Sequence, residues 1–178
     1  MDSTHRSETE HSADKDSRAS ASQVDAITLL KTDHRQVKNW FAEFQKASSG
    51  FQKSAAGPKK LELVRRICQA LKIHTLIEEE IFYPAFLAAS EDKDLHHEAC
   101  VEHEGLKRLI TEIEASSPID DYYDARVTVL DEMVKHHVKE EEQPGGMFAE
   151  ARRCGLDLKV LGEKLQARKQ ELKTLAAE

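Results

Sequence analysis

Proline and glycine are scarce, at 4 and 7 of 178 residues. That leaves too few turn-formers for a many-stranded β fold, whereas abundant Leu, Ala, Glu and Lys favour long helices. Cysteine is scarcer still. Cys68, Cys100 and Cys154 are far apart and match neither a zinc nor a disulfide spacing; they read as reduced, packing thiols of a cytoplasmic protein. Long apolar runs are missing. Nothing approaches the roughly 20 residues of a membrane span, and the first residues lack a signal peptide's apolar core, so no membrane association is expected. A concentrated basic face is missing too. With a net charge of −7, nucleic acid is not the expected partner, because phosphate binding calls for clustered Lys and Arg. Neither a nucleophile triad nor a phosphate-cradling glycine loop is found.

Helical periodicity is what the chain does contain. Residues 1–22 carry no large apolar side chain after Met1 and read as a disordered tail. From Val24, the residues Ile27, Leu30, His34, Val37 and Phe41 recur at three- and four-residue steps, and the pattern fades at Ser48-Ser49-Gly50. Pro58 opens a second helix at its favoured first turn. That helix carries Leu63, Ile67, Leu71, His74, Ile77 and Ile81, with Pro84 at its end or kinking it. A third helix is expected from about Leu95 to Ala115 and a fourth from about Ile119 to Glu142, stopped by Pro144-Gly145-Gly146. A last amphipathic helix spans roughly Leu156 to Leu175. The reading is all-α: an up-down antiparallel four-helix bundle over 23–153, with an extra C-terminal helix in 154–178 packing on it.

The chemistry-bearing stretch is HTLIEEEIFYP, from His74 to Pro84. At 100° per residue, Glu78 lies about 40° from His74 on the helix surface, within the apolar stripe, whereas Glu79 and Glu80 turn away. A core carboxylate needs a proton, a counter-charge or a metal. The fourth helix repeats the arrangement with His137 and Glu141, and the other two helices each add one inward histidine, His34 and His103. The chain thus reads as two related hairpins, each supplying a lone His and a His-x-x-x-Glu. Singly, an inward histidine is more often a hydrogen-bonded core residue. Four imidazoles and two carboxylates converging in one core form a metal site, and their number suggests two ions. With both carboxylates and one oxo or hydroxo group bridging, about ten of the twelve positions of two octahedra are filled, and about two stay open. Mixed imidazole and carboxylate ligation suits iron, with manganese and zinc as alternatives. Glu79, Glu80, Glu140 and Glu142 read as solvated or outer groups.

The stretches DHRQVKNWFAEF, IHTLIEEEIFYPAF, VEHEGLKRLI and KHHVKEEE resemble, in order, those of a hemerythrin-like (HHE cation-binding) domain over about residues 24–153. GLDLKVLGEKLQARKQEL is similar to the C-terminal extension of many bacterial members. The resemblance implies a hemerythrin-like bundle with a non-haem, oxo- or hydroxo-bridged pair of iron ions. It implies His34, His74, Glu78, His103, His137 and Glu141 as ligands, and Tyr83 and Pro84 match the family's YP. The oxygen carriers have a second histidine one turn from the third-helix ligand. Here those positions are Ala99 and Lys107, and His96 is about 10 Å away along the axis. The implied partner is therefore a small oxidant (oxygen, peroxide or nitric oxide) that is bound or reduced. The alternative is an iron-binding sensor, store or donor without turnover, and a homo-oligomer or unknown protein partner fits either. Whether the chain is an enzyme stays open. Pro144-Gly145-Gly146 places Glu141 in what is expected to be a frayed final turn.

Overall fold

The computed structural model describes residues 24–49 and 57–176; the tail expected over residues 1–22 lies outside them. The elements are α1 (Ala26–Ser49), α2 (Gly57–Ile77), a π-helical turn (Glu78–Phe82), α3 (Tyr83–Ala89), α4 (Lys93–Ala115), α5 (Tyr123–Glu142), α6 (Met147–Arg153) and α7 (Leu158–Leu175). No strand occurs among the described residues. α1 packs on α2 and α5, and α4 packs on α5 and α2. The four long helices thus close into the expected up-down bundle. α7 lies outside it, against α1, α2 and the π turn. The close approach to α1 is possible because Gly162 has no side chain: a Cβ there would lie 2.3 Å from the Val24 carbonyl oxygen and 2.9 Å from the Ala26 nitrogen.

The apolar stripes fill two core layers. One layer includes Val37, Phe41, Phe44, Ile67, Leu71, Leu106, Ile110, Val127 and Val134. The other includes Ile27, Leu30, Ile77, Phe82, Tyr83, Phe86, Met147, Phe148, Leu161 and Leu165. His34, His74, Glu78, His103, His137 and Glu141, all buried, occupy the boundary between the two layers along each helix.

Three local features refine the sequence expectation. Helix α5 starts at Tyr123 rather than Ile119, which is 91% exposed in the preceding turn. Pro84 does not end the second helix, since its ring would meet the Glu80 carbonyl in regular α geometry and the wide turn just before it relieves that crowding. The Tyr83 N–H donates to the Glu78 carbonyl oxygen, an i to i+5 bond that slips the helical phase by one residue. Phe82 and Tyr83 are buried as a result, and Ile81 is only half-buried. Thirdly, Glu141 is not frayed. It is 2% exposed, and the turn after it is closed by Gln143 N–H to Lys139 O at 2.9 Å and Gly146 N–H to Gln143 O at 2.9 Å. The chain then folds back as α6, which buries Met147 and Phe148 and stacks Phe148 on the His34 ring at 5.9 Å and 7°.

Candidate metal centre

All six candidate residues meet in one place. Two donor groups form, each with its atoms within 4.8 Å of one another: His34, His74, Glu78 and Glu141 in one, Glu78, His103 and His137 in the other. Glu78 belongs to both. The histidines pair by their inner nitrogens, His34 Nε2 to His74 Nε2 at 3.0 Å and His103 Nε2 to His137 Nε2 at 3.2 Å. Each carboxylate spans the two pairs. Glu78 Oε2 lies 3.2 Å from His74 Nε2 and 3.5 Å from His103 Nε2. Glu141 Oε2 lies 3.4 Å from His34 Nε2 and 3.7 Å from His137 Nε2. The result is a quadrilateral of imidazoles with a carboxylate along each of two opposite sides.

The outward nitrogens face a second ring of carboxylates. His34 Nδ1 lies 2.8 Å from Glu142 Oε1, His103 Nδ1 lies 3.0 Å from Glu79 Oε1, and His137 Nδ1 lies 2.8 Å from Glu102 Oε2. His74 Nδ1 faces Asp33 Oδ2 at 3.6 Å, an ion-pair separation slightly too long for a hydrogen bond. Each acid is the sequence neighbour of one candidate ligand but serves a histidine on the next helix: α1 to α2, α2's π turn to α4, α4 to α5, α5 to α1. An adjacent residue points about 100° around its helix, into the groove. On α1 and α4 the acid precedes the ligand; on the reversed α2 and α5 segments it follows. Reversing a helix reverses its sense of rotation, so all four acids turn the same way around the bundle. Sequence reasoning missed Asp33 and Glu102, although an acidic neighbour beside a ligand on every helix was a visible signal.

The donor set fits a cation. Carboxylates on Nδ1 favour the Nδ1–H tautomer, which turns the Nε2 lone pairs inward. Both Glu78 oxygens and Glu141 Oε2 are buried without a hydrogen-bond partner, a costly state that a metal would relieve. Burial pushes the Glu78 carboxyl well above its ordinary range, and the nearby Glu141 adds to this. Without metal it therefore keeps a proton, which a cation would displace. Burial also lowers His74 to about 4 and His103 to about 2, leaving both rings neutral donors. His137 goes the other way: burial lowers it, but Glu141 and Glu102 outweigh that and raise it.

Tyr83 completes the site. Its hydroxyl lies 3.1 Å from His103 Nε2 and donates to Glu141 Oε1 at 3.3 Å. Burial, then the charges of Glu78 and Glu141, push the phenol well above its usual range, so it holds its proton. Its neighbour His96 packs edge-on at 5.6 Å and joins neither donor group. A further trio, Glu98, Glu102 and His136, lies on the surface and forms no buried site. Of the acids read as outer groups, Glu80 pairs with Arg168 at 2.7 Å and Glu140 lies 3.5 Å from Lys139.

Among known proteins, the chain is 30% identical over 118 residues to a protein from Nostoc sp. named a DNA nickase, covering 64% of this chain but only 30% of that one. A solved structure of a hemerythrin HHE cation-binding domain-containing protein from Mycobacterium kansasii superposes with a TM-score of 0.69 at 24% identity, covering 86% of this chain and 90% of the other. That likeness establishes the fold. The family model for the hemerythrin HHE cation-binding domain matches residues 25–144, well over half of the chain, a span that includes the six candidate metal-holding residues. The protein therefore belongs to the hemerythrin HHE cation-binding domain family.

Proposed function

We propose that the protein is a non-haem di-iron protein that binds or reacts with a small oxidant (oxygen, peroxide or nitric oxide). The observation that carries this reading is the sharing of Glu78 between two donor groups, which asks for two cations side by side. His34 and His74 would hold one ion, and His103 and His137 the other, with Glu78 and Glu141 bridging. Imidazole and carboxylate donors suit iron, which when bound would supply redox chemistry. The chain's own residues do the rest. The four outer carboxylates orient the rings, Phe148 closes the face of His34, and Tyr83 presents an O–H beside His103. The three free cysteines suit a reducing compartment such as the cytoplasm. No helix among the described residues is long and apolar enough to cross a membrane. A sensor or store without turnover is the second reading; it has the same donor set.

The test is iron per chain together with the near-ultraviolet spectrum of protein purified in air, before and after peroxide. About two irons and an oxo-to-iron charge-transfer band are expected. One metal per chain, or zinc with no band, would remove the reading. Repeated peroxide consumption marks an enzyme, and a single stoichiometric change marks a sensor or store. Tyr83→Phe is expected to keep both irons and the melting temperature while slowing the spectral response to peroxide about 100-fold, if the phenol supplies a proton. An unchanged rate would place Tyr83 outside the chemistry.

A further inference from the structure

Behind three of the four outer carboxylates stands a lysine ammonium, and behind Glu102 the His136 imidazole. Lys31 Nζ lies 3.0 Å from Glu142, Lys107 Nζ 2.8 Å from Glu79, and His136 Nε2 3.1 Å from Glu102. Lys169 pairs with Asp33. Three of these groups belong to the bundle, on α1, α4 and α5. The fourth comes from α7, outside it. It is also the least exposed of the four, with 15% of its side chain accessible against 42%, 44% and 59% for Lys31, Lys107 and His136, so solvent screens it least. Lys169 holds Asp33 Oδ1, which leaves Oδ2 turned toward His74 Nδ1; neither of these two atoms has another hydrogen-bond partner. A cavity of about 100 Å³, lined by Asp33, Val37, Trp40, Ile73, Lys169 and Lys173, adjoins the pair. Without Lys169 the carboxylate has room to swing away from His74.

We propose that α7 is part of the metal-holding apparatus: Lys169 is a positioning residue that keeps Asp33 against His74, so that retention of the ion on the His34/His74 side depends on a helix outside the bundle. The inference rests on the two-metal reading above. Its test loads the full-length protein with ferrous iron under nitrogen and follows release to a ferrous chelator. Lys169→Met is expected to speed release of one of two ions about tenfold, the scale of losing an outer-sphere partner, and to leave the other unchanged. Asp33→Asn should do the same, and the double variant should add nothing further. Arg168→Met is the control. It cuts the α7 ion pairs to exposed Glu80 at 2.7 Å and to Glu171 at 3.1 Å, without touching a candidate ligand's partner, and should alter neither release rate. Equal acceleration of both ions, the same effect from Arg168→Met, or no effect from Lys169→Met would overturn the role of Lys169. Fewer than two irons on the unaltered protein would instead overturn the two-metal reading itself.

Discussion

Glu78→Gln is expected to abolish binding of both metal ions while leaving a metal-free protein more stable at neutral pH than the unaltered one. Glu78 is fully buried and stands 3.2 Å and 3.5 Å from a histidine of each pair, so its loss strips an anionic donor from both positions at once. The affinity cost should exceed the roughly 100-fold that removing an outer-sphere partner can bring. The stability gain has a definite sign. The folded-state carboxyl is raised above its ordinary 4.5, by burial first and Glu141 second. Its favourable contribution is therefore complete below pH 4.5 and lost as pH rises toward the folded value. Glutamine has no such loss, so the advantage of the variant should be absent near pH 4 and grow above it. Metal analysis and denaturant unfolding of metal-free samples across that range check both halves. One ion retained at full occupancy would show that Glu78 does not bridge.

Stripping the metal from the unaltered protein should lower its melting temperature by about 10 °C or more at neutral pH. A ligand present at about 1,000 times its dissociation constant stabilises the fold by about 4 kcal/mol, and each kcal/mol moves the melting point of a chain this size by about 2–4 °C. The metal-free form should then weaken further in acid. Burial lowers His74 from 6.5 to about 4 and His103 to about 2. What each neutral ring contributes is present above pH 6.5 and lost as pH falls, because the unfolded chain takes up protons that the fold refuses. The raised carboxyl of folded Glu78 works in the opposite direction and offsets part of this. Each proton of net uptake on unfolding is a slope of about 1.4 kcal/mol per pH unit. Calorimetry of chelated and iron-loaded samples from pH 7.5 to 5 measures it; coincident melting curves would mean that no metal is held by these residues.

The legible part of the candidate site was the part written on single helices. His74 with Glu78, and His137 with Glu141, fall on apolar stripes by helical spacing alone. The inward phase of His34 and His103 likewise needs only the residues flanking them. The ring of outer acids was half legible. Every helix that carries a candidate ligand shows an acid beside it, but which histidine each acid serves depends on the neighbouring helix and its direction. Tyr83 was unreadable by periodicity, since a regular helix places it about 140° from Glu78. The π turn, reflected in the Tyr83 N–H bond to Glu78 O, brings it onto the site.

By itself the sequence determined an all-α bundle, two hairpins of matching pattern, and six polar residues on core-facing stripes, because local spacing sets which face each side chain occupies. Only the tertiary structure decided what lies between helices. Glu78 is shared by two donor groups, the acids Asp33, Glu79, Glu102 and Glu142 close a ring around the four histidines, and Lys169 reaches Asp33 from α7. Partners distant in the chain meet through the packing of helices. Spacing along one helix carries no record of which neighbour, in which direction, will lie against it.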